Sequence, residues 1–176
     1  MARIAASDEF KDLDPHVHLA AFQAIARLDG ERAAPIISEA LAKGDSMTID
    51  GLIGAAQLAA SKGCSAALAE MAAQNERHDP RRRGAAIEAI LFAGAGPLPS
   101  ILPTIAALAE DISESPRVRS PAIGLLALYE TPQSRAVLET IAGRLDDDSS
   151  PLALKALFGG EQFAMKQIDE AKKEET

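Results

Sequence analysis

The run Asp79-Pro80-Arg81-Arg82-Arg83-Gly84-Ala85-Ala86-Ile87 returns 36 residues later as Ser115-Pro116-Arg117-Val118-Arg119-Ser120-Pro121-Ala122-Ile123. Each copy is an Asp or Ser, a Pro, a basic turn, and then small and branched apolar residues. Asp and Ser accept hydrogen bonds from the free N–H groups of a helix start. Pro suits the first helical position, where its missing N–H would have had no partner. The repeated run is therefore a helix start, and a start that recurs at this period predicts stacked supersecondary units.

The same grammar extends along the chain when Pro15, Ser46, Pro80, Pro116 and Pro151 are taken as first helical residues. Seven places on stand Phe22, Ile53, Ile87, Ile123 and Phe158, and one place earlier Ala21, Leu52, Ala86, Ala122 and Leu157. All ten are apolar, which predicts an interior rung shared by successive first helices. Small-residue turns follow at Asp29-Gly30, Lys62-Gly63, Gly94-Ala95-Gly96 and Thr131-Pro132. Second helices are then expected over 31–43, 64–75, 97–110 and 132–145. Their apolar ladder is Ile37, Leu68, Leu102 and Leu138, followed three residues later by Ala40, Met71, Ile105 and Ile141.

The fifth unit is shorter: an apolar helix to Phe158, a break or bend at Gly159-Gly160, and an increasingly polar helix over 161–173 that tolerates water at the end of an array. Residues 1–13 read as a cap or arm. The expectation is an all-α array over 14–176, with units near 14–44, 45–76, 79–111, 115–146 and 150–173.

Composition agrees with this. A chain of 176 residues, 47% of them apolar, can bury a sizeable core. With five Phe, one Tyr and no Trp, it favours closely packed helices over an aromatic-lined pocket. A net charge of −8 disfavours duplex nucleic acid, whose binding draws on Lys and Arg neutralising phosphates, although a local basic patch stays open to it. The lone Cys64 excludes an intrachain disulfide and a multi-cysteine zinc site, and it suits a reducing compartment. Residues 1–10 lack a signal-peptide pattern and no apolar run has the length of a membrane span, so a cytoplasmic location is expected.

Nucleotide-binding, metalloprotease and nucleophile-elbow motifs are absent from the sequence. His16 and His18, two apart on a helix, point to different faces and cannot easily share a metal. Cys64 at a helix start has no neighbouring base and reads as a buried structural thiol. No catalytic, cofactor-binding or metal-ligating residue is assigned, and no cofactor is expected.

Two charged groups remain. Arg77, His78, Arg81, Arg82, Arg83, Arg117 and Arg119 form a basic ridge at neighbouring helix starts, able to receive a carboxylate- or phosphate-bearing partner. Within it Arg81, Arg82 and Arg117 are the candidate partner contacts. Glu39 and Glu70 fall at equivalent places on second helices, with Glu139 one place off. They could line an acidic groove for a basic peptide, or form a solvated face.

The Asp-Pro start, the Arg-rich or Val-x-Arg first turn of Pro116, Val118 and Arg119, and the inner Ala and Ile, in units of 32 to 36 residues, resemble HEAT repeats. The closest likeness is to the short bacterial HEAT-like repeats of phycobilin lyases. It covers roughly 14–173 and is clearest at Pro116, good at Pro80, Arg83 and Ala86, partial at Pro15, Val17 and Ala21, and nearly absent at Ser46. It implies an α-solenoid, a right-handed superhelix of about five helical pairs whose second helices line the concave surface. It also implies that Arg83 and Arg119 form a structural ladder with acidic groups of adjacent repeats, with Asp79, Glu114, Asp147 and Asp148 as available mates. Pro121 resembles the proline that kinks HEAT first helices. Tetratricopeptide repeats, the rival at this period, expect Trp and Tyr in the first helix and a late proline. The function implied is a non-catalytic adaptor or scaffold that binds a protein partner. A bilin lyase subunit or chaperone is the alternative, opposed by the shortage of aromatic residues. A HEAT-like DNA glycosylase is the second alternative, opposed by the acidic charge.

Overall fold

The structure is a computed structural model, and it describes residues 14–43, 49–59, 63–94, 98–144 and 146–159. The expected cap over 1–13, the start at Ser46 and the polar helix over 161–173 lie outside the described residues. Within them the chain is all-helical and no strand occurs. In order the helices are α1 (Pro15–Leu28), α2 (Gly30–Lys43), α3 (Ile49–Ala59), α4 (Ser65–Ala73), α5 (Pro80–Phe92), α6 (Leu102–Glu110), α7 (Pro116–Tyr129) and α8 (Pro132–Ala142). A further helix, α9, occupies 150–159.

Local chemistry explains most of the boundaries. Helices α1, α5, α7 and α8 each begin at a proline. Asp79 accepts from the N–H of Arg82 at 3.0 Å, and Ser115 from that of Arg117 at 3.3 Å. Thr131 and Ser134 cap α8 reciprocally, each side chain taking the other's backbone N–H. The α1–α2 break is a single residue, Asp29, whose carboxylate accepts from the N–H of Arg32. Gly94 turns the chain out of α5 with φ 57°, a left-handed conformation that side chains resist.

Three sequence expectations need correction. Helix α6 starts at Leu102, not at 97, because Pro103 has no N–H to give to the carbonyl of Pro99; the helix therefore begins late enough to hold Pro103 in its first turn. Helix α8 ends at Ala142, before Gly143. Ser150, which stands before Pro151 where the pattern of the other starts would put a cap, is itself the first residue of α9, and its hydroxyl donates to the Ala142 carbonyl at 2.7 Å.

The helices pack in two rows. First helices touch in succession, α1 to α3, α3 to α5 and α5 to α7, while second helices do the same, α2 to α4, α4 to α6 and α6 to α8. Each second helix from α2 to α6 also meets the first helix that follows it. One buried apolar cluster runs through both rows. In it Ile53, Ile87 and Ile123 are buried and Phe22 packs against the edge, as the rung requires.

Phe158 breaks the rung, with 89% of its surface exposed. Helix α9 turns Ala153 and Ala156 into the core, with Leu152 and Leu157 beside them. That inward arc leaves Leu154 and Phe158, four residues apart, together on the opposite face. Helix α9 is the last of the described helices and turns one arc to the core, whereas α5 packs between α3 and α7 in its row.

Candidate functional site: arginines at the helix starts

The arginines named in the sequence divide into two sets. Arg83 on α5 and Arg119 on α7, 36 residues apart, are both buried and solve the same problem in the same way. Arg83 gives Nε–H to the carbonyl of Ala72 in the last turn of α4 at 2.6 Å, and its two terminal nitrogens grip the Glu114 carboxylate. Arg119 gives Nε–H to the carbonyl of Ala109 in the last turn of α6 at 3.1 Å, and its fork holds Asp147 at 2.9 and 2.7 Å. Each guanidinium thus satisfies a helix-end carbonyl that has no partner within its own helix, and ties it to the loop after the next second helix. Of the available mates, the structure selects Glu114 and Asp147. Asp79 is occupied as an N-cap, and Asp148 is exposed.

Both ion pairs are desolvated. The side chains of Arg119 and Asp147 are 5% and 2% exposed. Hydrogen bonding from Arg119 is the main cause that holds the Asp147 carboxyl below its ordinary range, against the opposing pull of burial. The Ser149 N–H also donates to it at 2.9 Å, so this carboxylate has several donors.

A second set of carbonyl contacts was not anticipated in the sequence. Arg77 reaches back to the Ala42 carbonyl at the end of α2 at 2.7 Å, and Arg144 to the Glu110 carbonyl at the end of α6 at 2.6 Å. The two contacts span 35 and 34 residues, and each arginine follows a second helix. That common placement is a signal the sequence offers once the second-helix ends are known.

The three candidate partner contacts are not equivalent. Arg82 is spent within the fold, its Nε lying 3.1 Å from Asp50 of α3 and 3.8 Å from Asp79. Arg81 and Arg117 are exposed, and no ion pair among the described residues engages either guanidinium. They occupy matching places, each directly after the opening proline of its helix. The two helix starts are neighbours, for Gly84 of α5 lies against the backbone of Arg117. His78, placed on the ridge by the sequence, is buried instead. Arg77 is exposed too but is held at one nitrogen by the Ala42 carbonyl, so the ridge leaves Arg81 and Arg117 as the outward guanidinium groups, able to donate to carboxylate or phosphate oxygens.

On the second-helix row, Glu39 and Glu70 are both exposed, on the adjacent helices α2 and α4. Glu39 is paired with Lys43, whose hydrogen bond and charge hold its carboxyl below the ordinary value. Glu139 is likewise paired, with Arg135 at 3.0 Å. Of these three, Glu70 is the one with no ion pair among the described residues, a weaker electrostatic feature than the arginines.

Cys64 is buried beside Ser38 and the Ala34 carbonyl, and burial raises its thiol pKa. Among the described residues, no group of three His, Cys, Asp or Glu side chains is placed to hold a metal ion. No described helix is long and apolar enough to cross a membrane. No protein-family model, curated protein or solved structure matches the chain.

Proposed function

We propose that this chain is an α-solenoid of HEAT-like helical pairs that acts as a non-catalytic adaptor, docking an acidic segment of a protein partner on Arg81 and Arg117. The solenoid reading is supported by the two rows of successive helix contacts and by the arginine ladder that recurs at the repeat period. The observation that carries the binding reading is the contrast within the ridge: Arg82, Arg83 and Arg119 are consumed by the fold, while Arg81 and Arg117 hold unspent charge at matching exposed positions. In a protein of net charge −8, such a patch stands out electrostatically to an acidic ligand. A lone buried thiol suits the reducing cytoplasm as the place of action.

The test is a binding titration with fluorescent Asp/Glu-rich and Lys/Arg-rich peptides over a salt series. The acidic peptide should bind, weaken as salt screens the exposed charges, and lose affinity in the Arg81→Glu, Arg117→Glu double variant. That variant should unfold close to the wild-type urea concentration, because both side chains are exposed and neither is in an ion pair among the described residues. Preference for the basic peptide, abolished by Glu70→Arg, would move the site to the second-helix row and overturn this reading.

A further inference from the structure

The segment 74–79 between α4 and α5 is the joint between the second and third helix pairs, and three arginines brace it in different directions. Arg77 reaches Ala42 at the end of α2, Arg82 reaches Asp50 on α3, and Arg83 holds Ala72 and Glu114. In the middle stands His78, whose backbone N–H donates to the Gln74 carbonyl at 3.0 Å. The residue is only 7% exposed, and its Nε2 is buried with no hydrogen-bond partner among the described residues.

We propose that His78 is a proton-sensitive joint between the second and third helix pairs, closed while the imidazole is neutral and loosened when it takes up a proton. A neutral ring can leave one nitrogen bare at modest cost. An imidazolium carries N–H on both nitrogens, and an unpaired, buried, charged donor is far more costly. The charges felt at the ring are those of Arg77 in the same loop, Arg82 and Arg83 in the first turn of α5, and Asp79 at its cap. Three are positive and one negative, and Asp79 already accepts from the backbone N–H of Arg82.

Burial first, and then these guanidiniums, hold the folded-state pKa of His78 below its ordinary 6.5. The unfolded chain therefore takes the proton first. The stability that the neutral ring allows is fully present above 6.5 and is lost as the pH falls towards the depressed folded value. Because the ring sits in the joint, the loss is expected there before it reaches α7.

The experiment uses the full chain: an NMR titration of the His78 ring, amide-exchange protection factors at about pH 7 and about pH 5, and urea midpoints for wild type and His78→Gln. The proposal expects His78 to titrate below 6.5, protection over 74–83 to fall at acid pH while that over 117–129 persists, and the wild-type midpoint to drop more than that of the variant. A His78 that titrates at or above 6.5, or protection lost equally in both segments, would overturn it; so would parallel midpoints. Should His78→Gln fail to fold, the wild-type titration and exchange decide the matter alone.

Discussion

Gly84 of α5 lies so close to α7 that a Cβ on it would collide with the carbonyl oxygen of Arg117. Pro121, four residues after Arg117, has no N–H to give that carbonyl, so the oxygen is left without its usual partner within the helix and faces the neighbouring helix. Glycine in α5 lets the two main chains meet, in the manner of a Cα–H to oxygen contact. Gly84→Ala should therefore destabilise. The gain in helix propensity, about 0.5–1 kcal/mol, is outweighed by overpacking against backbone, about 1–3 kcal/mol. A lower melting temperature checks this, with Ser120→Ala, the corresponding change on α7, expected within about 0.5 kcal/mol of wild type.

Arg119 and Asp147 should behave as a buried unit. Removing one partner leaves the other charged and desolvated, so Arg119→Ala or Asp147→Ala should each cost about 3–5 kcal/mol in urea unfolding. Replacing both, Arg119→Met with Asp147→Leu, should cost much less than the two single losses added together. Additive losses would mean the two side chains do not depend on each other.

The same pair sets an acid limb. Because the folded Asp147 carboxyl is depressed, its contribution is present above the ordinary 3.8 and lost as the pH falls below that. The wild type should therefore lose stability more steeply below about pH 4 than Asp147→Asn, which starts lower and has no such carboxyl to protonate. Unfolding midpoints measured down the acid range compare the two slopes.

The interior rung ends before α9. Ile87→Ala and Ile123→Ala, at fully buried positions, should each cost about 2–5 kcal/mol. Phe158→Ala should cost about 0.5 kcal/mol or less, because the ring is exposed. Chemical denaturation of the three variants separates a rung of five from one that stops at Ile123.

Cys64 should be inert in the native chain. Burial excludes reagents and raises the thiol pKa, so little thiolate forms near neutral pH. Reaction with a disulfide reagent should be slow in buffer and rapid in denaturant. Fast labelling of the native protein would place Cys64 nearer the surface than the structure does.

Much of the architecture was legible because its causes are local. The Pro80 and Pro116 starts, the Asp79 and Ser115 caps and the column Ile53, Ile87, Ile123 follow from capping, proline chemistry and helical period, all of which act within a few residues. The candidate site was legible in part. The sequence assembled seven basic side chains at the helix starts, and the repeat likeness set Arg83 and Arg119 apart as a structural ladder, but no local rule could tell Arg82, which the fold binds, or His78, which it buries, from Arg81 and Arg117, which face water.

What the sequence determined by itself, then, is where most of the described helices begin and which side of most of them is apolar. The tertiary structure decided that Arg83 took Glu114 and Arg119 took Asp147, that His78 was enclosed without a partner for Nε2, that Gly84 meets the Arg117 carbonyl, and that Phe158 faces outward. Each of these depends on which surface lies across from the residue, and that is set by the packing of segments tens of residues apart rather than by the neighbours along the chain.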